Sequence, residues 1–197
     1  DSSTSRGLGD VYKRQGYELL EWRFEGVENN WYDKLCENAL ISTGNNGRLE
    51  RALAKLEAGE NVNIAFLGGS ITEGASASKQ SECYVEQTVS NLKAMYPDAD
   101  INYVNAGVSG TPSALGIMRY QRDIVGTFDD TPDILFIEFA VNDYQECTDG
   151  RAMESLIRQA LEADEKTAVC LLYSVSKSKW NVQDVSVPMG ELYGLPM

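Results

Sequence analysis

The chain has 197 residues, 43% of them apolar and 24% charged. That is enough for one full domain, too little for two, and unlike a disordered or fibrous composition. A formal net charge of −13, spread along the chain, argues against a nucleic-acid or anionic-lipid partner, and no apolar run approaches the roughly 18 residues of a membrane span.

Residues 1–15 (DSSTSRGLGDVYKRQ) carry no periodic apolar pattern. Back-translation of residues 5–15 gives a transposase-type sequencing adapter read in frame, so this stretch is expected to be a non-native leader and stays out of the fold reading. Residues 16–45 are aromatic and mixed, and are expected to be a strap or the remnant of an upstream module. Residues 47–58 (GRLERALAKLEA) read as an amphipathic helix with Leu49, Leu53, Ala54 and Leu56 on one side.

A regular alternation then begins. Residues 62–67 (VNIAFL) form an apolar run closed by Gly68-Gly69 and predict a buried strand. Residues 84–96 are helical in pattern and stop at Pro97. A second strand is expected over 101–104, a helix over 112–127, a third strand over 134–141 (ILFIEFAV), a helix over 151–163 and a fourth strand over 168–175 (AVCLLYSV). Strands alternating with helices build βαβ units and hence a parallel sheet, and continuously apolar strands are those covered on both faces. The fold class is therefore α/β, a three-layer α/β/α sandwich with a mainly parallel, flavodoxin-like sheet, over a domain expected to span residues 46–197. In such open sheets chemistry gathers beyond the carboxyl ends of the strands.

Strand one is followed by GGSITEG (68–74), strand two by NAGVSGT (105–111) and strand three by AVND (140–143). Taken singly, each has a plain alternative. A glycine-rich strand-to-helix turn also suits a phosphate loop or a tight turn, NAGVSGT an ordinary loop, and Asn-Asp a turn or cap. Ser70 is not in a G-x-S-x-G elbow, because Thr72 stands where the second Gly would be. No Lys follows the glycines as in a Walker loop. Together they place a Ser hydroxyl, a Gly N–H and an Asn carboxamide at three successive strand ends, which is a nucleophile with donors for a tetrahedral oxyanion.

In order and spacing, GGSITEGA, NAGVSGT, RYQRD and PDILFIEFAVND resemble the first three blocks of the SGNH/GDSL hydrolase superfamily, in its bacterial branch with a GGSIT first block. The resemblance covers residues 45–197. It implies Ser70 as nucleophile, with its own N–H, the N–H of Gly107 and the side chain of Asn142 as oxyanion donors, and no metal or organic cofactor. Gly69 replaces the usual Asp and Ala140 a usual Gly, both small residues in a tight place. The family's fourth block supplies a D-x-x-H pair, and this chain contains no His. The expectation is a chain cut before that block, lacking the last strand and inactive or nearly so; a degenerate, non-catalytic relative is the alternative. The full-length parent is then expected to be a serine esterase acting on a small-molecule or carbohydrate ester, with carbohydrate O-acetyl groups the leading substrate by analogy. A non-catalytic anion- or carbohydrate-binding relative and an acyltransferase are the rival readings.

Three further features are weaker. Gly69 and Trp180 are candidate substrate contacts, Trp180 as a stacking platform or as simple packing. Arg119 and Arg122 could meet an acidic substrate or form surface ion pairs, and Glu73 could tune Ser70 or be solvated at the helix start. Four scattered cysteines with no C-x-x-C spacing and no His argue against structural zinc.

Overall fold

The computed structural model describes residues 34, 37–75, 77–143, 149–175 and 182–197. The chain divides into two compact units, Asp1–Leu40 and Ile41–Met197. Of the first, a helical stretch over 37–39 is described; the leader and strap expected there otherwise lie outside the described residues.

In chain order the elements are α1 (Gly47–Glu57), β1 (Asn61–Gly68), the one-turn α2 (Ser70–Glu73), α3 (Tyr84–Met95), β2 (Asp100–Gly107), α4 (Ser113–Tyr120), β3 (Ile134–Glu138), the one-turn α5 (Ala140–Asp143), α6 (Arg151–Ala163), β4 (Ala168–Leu171) and α7 (Gln183–Leu192). The four strands are parallel in the order β2-β1-β3-β4. The sheet is doubly wound, and its connections reverse direction beside β1 and β3, so a crevice opens above those two strand ends.

The period-two pleat sorts each strand between two cores. Val62, Ile64 and Phe66 of β1, Ile134 of β3, and Ala168 and Cys170 of β4 face α1 and α3, meeting Ala52, Leu56, Val85 and Val89. Ala65 and Leu67, Leu135 and Ile137, and Val169 and Leu171 face the other way, onto Tyr120, Ile124, Met153, Leu156, Ile157 and Ala160. With both faces covered, β1, β3 and β4 lose the polar alternation of a half-exposed sheet, which is why they read as apolar runs, whereas β2, at the sheet edge, leaves Asn102 and Tyr103 exposed. In α1 the buried positions are Ala52 and Leu56, with Leu49 and Leu53 packed beside them, while Ala54, expected on that side, is exposed.

Several boundaries differ from the sequence expectation. β3 ends at Glu138, because Ala140–Asp143 turns into a helix as soon as the chain leaves the sheet. β4 stops at Leu171 and not at Val175, and β2 extends to Gly107. The helix expected over 112–127 is α-helical to Tyr120, then widens into a π-helical stretch over Gln121–Val125. α7 was not foreseen; Pro188 lies inside it.

A fifth strand was expected to be absent, leaving an apolar edge open. The described residues contain four strands, yet the edge beside β4 is partly covered. Leu171 donates its N–H to Pro196 O at 3.0 Å, Met197 exchanges backbone hydrogen bonds with Ser42, and Leu195 and Met197 are buried.

Candidate active site

Ser70 opens α2 directly beyond β1, and Asn142 sits in the α5 turn directly beyond β3. β1 and β3 are neighbours in register, Gly68 opposite Glu138, so the two following turns rise side by side. Gly69 N–H donates to Glu138 O at 3.2 Å and fastens the first turn to the second. The contact is so close that a Cβ on Gly69 would overlap Asn142 Oδ1. Gly69 is therefore needed for close approach, and the small-residue expectation at this position acquires its reason.

On the other side β1 pairs with β2, Gly68 opposite Gly107. Gly107 lies flat on α2; a Cβ there would overlap the backbone of Thr72 and Glu73. Asn105 secures the same junction, donating Nδ2–H to Thr72 O at 2.8 Å and accepting the Gly107 N–H on Oδ1 at 2.9 Å. Ser70, Gly107 and Asn142 are thus gathered at one end of the sheet. The Gly107 N–H, however, is already engaged within its own loop.

The remaining amides of the loop can be taken in turn. Val108 donates to Gly68 O at 3.1 Å, Ser109 to Glu73 Oε2 at 2.9 Å, and Thr111 to Val108 O at 3.3 Å. Gly110, at φ +74° with open space beside its Cα, has no hydrogen-bond partner for its N–H among the described residues. The Ser70 hydroxyl and the Asn142 carboxamide nitrogen likewise have none among the described residues. Gly110 escaped the sequence reading. A Ser-Gly-Thr-Pro turn that needs positive φ was the available signal.

The supports of these groups are mostly buried. Thr72 Oγ1 and Tyr84 OH share a hydrogen bond of 2.9 Å beneath α2, and burial pushes the Tyr84 phenol well above its usual range. Glu138, 2% exposed, accepts the Ala140 N–H on Oε1 at 3.1 Å at the root of the Asn142 turn. Burial raises its carboxyl above the ordinary range, opposed by a hydrogen bond from Ser174 and by that amide. Asp143 Oδ1 accepts the Ser113 N–H at 2.8 Å, placing a carboxylate at the N-terminus of α4. Glu73 is not simply solvated, since its carboxylate accepts both the Ser109 N–H and the Ser109 hydroxyl and so holds the loop. Arg122 forms the exposed ion pair expected of it, with Asp123, whereas Arg119 is buried. Trp180 lies outside the described residues. No group of three or more His, Cys, Asp or Glu is placed to hold a metal ion among the described residues, and no described helix is long and apolar enough to cross a membrane.

A doubly wound parallel sheet with Ser and Asn turns at its switch point defines an SGNH-type α/β hydrolase fold. Residues 66–192 match the GDSL-like lipase/acylhydrolase family, and the chain belongs to that family. It is similar to a two-domain esterase active on acetylated mannans, solved with mannopentaose, at 36% identity and a TM-score of 0.73, over 81% of this chain and 44% of that one. It is also similar to the acetylxylan esterase of Geobacillus stearothermophilus, 29% identical over 96 residues, covering 45% of this chain and 42% of the relative. AlinE4, an SGNH-hydrolase family esterase, shares the fold at 20% identity and a TM-score of 0.53, over 68% of this chain and 74% of that one. The chain spans less than half the length of the first two.

Proposed function

We propose that this chain is the nucleophile-bearing part of a serine esterase that removes acyl groups, acetyl foremost, from carbohydrate. Ser70 Oγ attacks the ester carbonyl carbon, and its proton passes to a base. The carbonyl oxygen becomes an oxyanion held by the Ser70 N–H, the Asn142 carboxamide and the N–H of Gly110, which takes the place first assigned to Gly107 because the Gly107 amide is spent on Asn105. Collapse of the tetrahedral intermediate breaks the bond to the sugar oxygen, which takes the proton back from the base and leaves as a hydroxyl; water then hydrolyses the acetyl-Ser70 ester to acetate and frees Ser70.

The observation that carries this reading is the close seating of Gly69, the residue before Ser70, against the Asn142 carboxamide and the Thr111 carbonyl beside Gly110. Acetylated mannan and acetylxylan, named for the relatives, motivate the substrate. The base is the missing part: the chain contains no His, so the proposal places it in sequence outside these 197 residues.

The test is release of acetate from acetylated mannan and acetylxylan, and turnover of p-nitrophenyl acetate, by the protein expressed from its full gene, beside Ser70→Ala. Loss of turnover on the order of 10⁴-fold or more in Ser70→Ala is expected. Undiminished turnover removes Ser70 from its role. Sugar binding with no hydrolysis, from a gene encoding no D-x-x-H, establishes the non-catalytic alternative instead.

A further inference from the structure

Among the described residues, Arg119 brings a buried cation to this sheet end. Arg119, on the last turn of α4, is 9% exposed. Its Nη1 donates to Ala106 O at 3.1 Å and to Asp123 Oδ2 at 2.9 Å, and its Nη2 to Gly68 O at 3.3 Å and Thr111 Oγ1 at 3.4 Å.

These acceptors belong to the segments that form the site. Gly68 is the last residue of β1, two before Ser70. Ala106 precedes Gly107 at the end of β2 and stands opposite Leu67. Thr111 follows Gly110, and its hydroxyl also binds Val108 O at 2.7 Å, closing the loop on itself. Gly68 O already accepts the Val108 N–H at 3.1 Å, and a carbonyl has two lone pairs, so the guanidinium adds a second donor where β1 meets the loop after β2. A guanidinium can donate to acceptors on separate elements at once, and its planar fork fixes their spacing; a Lys ammonium is a point charge without that geometry. Asp123, four residues on in the π-helical stretch, balances the charge and holds the guanidinium from behind. Widened turns of this kind recur at functional sites.

We infer that Arg119 is a positioning residue of the catalytic centre, a clamp that sets the separation between the Ser70 turn and the Val108–Thr111 loop carrying the Gly110 amide. It touches no reacting atom. The inference rests on the proposed role of Ser70, and its consequence is specific. A displacement of about 1 Å at a reacting centre typically costs on the order of 100-fold in rate, so loosening the clamp lowers kcat far more than it weakens substrate binding.

The test compares Arg119→Lys, Arg119→Ala and Asp123→Asn in the protein expressed from its full gene, with p-nitrophenyl acetate as substrate. Arg119→Lys is expected to lower kcat by about 100-fold with KM within about three-fold of the parent. Added ethylguanidine is expected to restore part of the kcat of Arg119→Ala and none of that of Ser70→Ala. Hydrogen exchange on the 197-residue chain gives a readout independent of turnover: amides of residues 107–111 exchange faster in Arg119→Lys while those of 62–67 keep their protection. Asp123→Asn, at the more exposed end of the clamp, shows a smaller change of the same kind and serves if the Arg119 variants do not fold. Unchanged kcat in a folded Arg119→Lys overturns the inference, as does a loss of protection spread equally over strand and loop. Full turnover by Ser70→Ala defeats the nucleophile assignment separately, and the exchange pattern still decides whether Arg119 orders the loop.

Discussion

Asn142 Oδ1 occupies the space into which any side chain on Gly69 would have to grow. The two residues are far apart in sequence but sit on turns that leave adjacent strands, so the position before the nucleophile is coupled to the carboxamide across the crevice. Gly69→Ala should therefore displace Asn142 with little effect on folding, because the obstructing atom ends a side chain that can rotate. The expected result is a loss of kcat/KM on the order of 100-fold, as for an oxyanion donor removed, with melting temperature nearly unchanged. Pairing it with Asn142→Ala checks the cause, since the double variant should lose little more than either single one.

The pH dependence of stability should carry the mark of Glu138. Burial raises its folded-state pKa above the unfolded value. A raised pKa gives a contribution fully present below the unfolded pKa, about 4.3 for a glutamate, and lost as pH rises through the folded one. Glu138→Gln keeps an acceptor for the Ala140 amide and has no proton to lose. Its melting temperature should exceed the parent's by a margin that grows from pH 4 toward neutrality. A constant margin would mean that Glu138 does not titrate in this window.

At the opposite end of the sheet, Asp133 accepts the Asn63 N–H at 3.0 Å and pairs with Lys55 Nζ at 2.8 Å, its side chain 9% exposed. Removing the carboxylate strands a part-buried amide as well as the ammonium. Asp133→Ala should cost about 2–3 kcal/mol in denaturant unfolding. Lys55→Met, which removes a half-exposed partner only, should cost under about 1 kcal/mol.

Cys170 lies in β4 with its thiol pushed up to about 12 by burial. The thiolate is the reactive form, so iodoacetamide at about pH 8 should leave Cys170 unmodified in the native protein and modify it fully in denaturant. Modification of this residue under native conditions would show that β4 opens.

The layered fold was legible in the sequence because buried parallel strands write themselves as apolar runs, and Ile64, Phe66, Leu135 and Ile137 do so without interruption. Strand ends were less legible. Ala140 and Val141 are apolar, but they leave the sheet for a one-turn helix, and hydrophobicity alone does not mark where a ladder stops. Ser70 and Asn142 could be singled out because glycines and strand ends flag them. For Gly110 the turn signal marks only a bend, since its importance comes from which neighbouring amides are taken, a property of hydrogen-bond partners and not of residue type. Arg119 read as a surface charge for the same reason: its acceptors are backbone carbonyls from Gly68 and Ala106, which no side-chain pattern announces.

The order β2-β1-β3-β4 puts the hydroxyl-bearing and carboxamide-bearing turns on the two innermost strands. The outer strands β2 and β4 carry neither group. A one-residue slip between β1 and β3 would part the two turns, whereas a change at the outer edge of the sheet leaves them side by side.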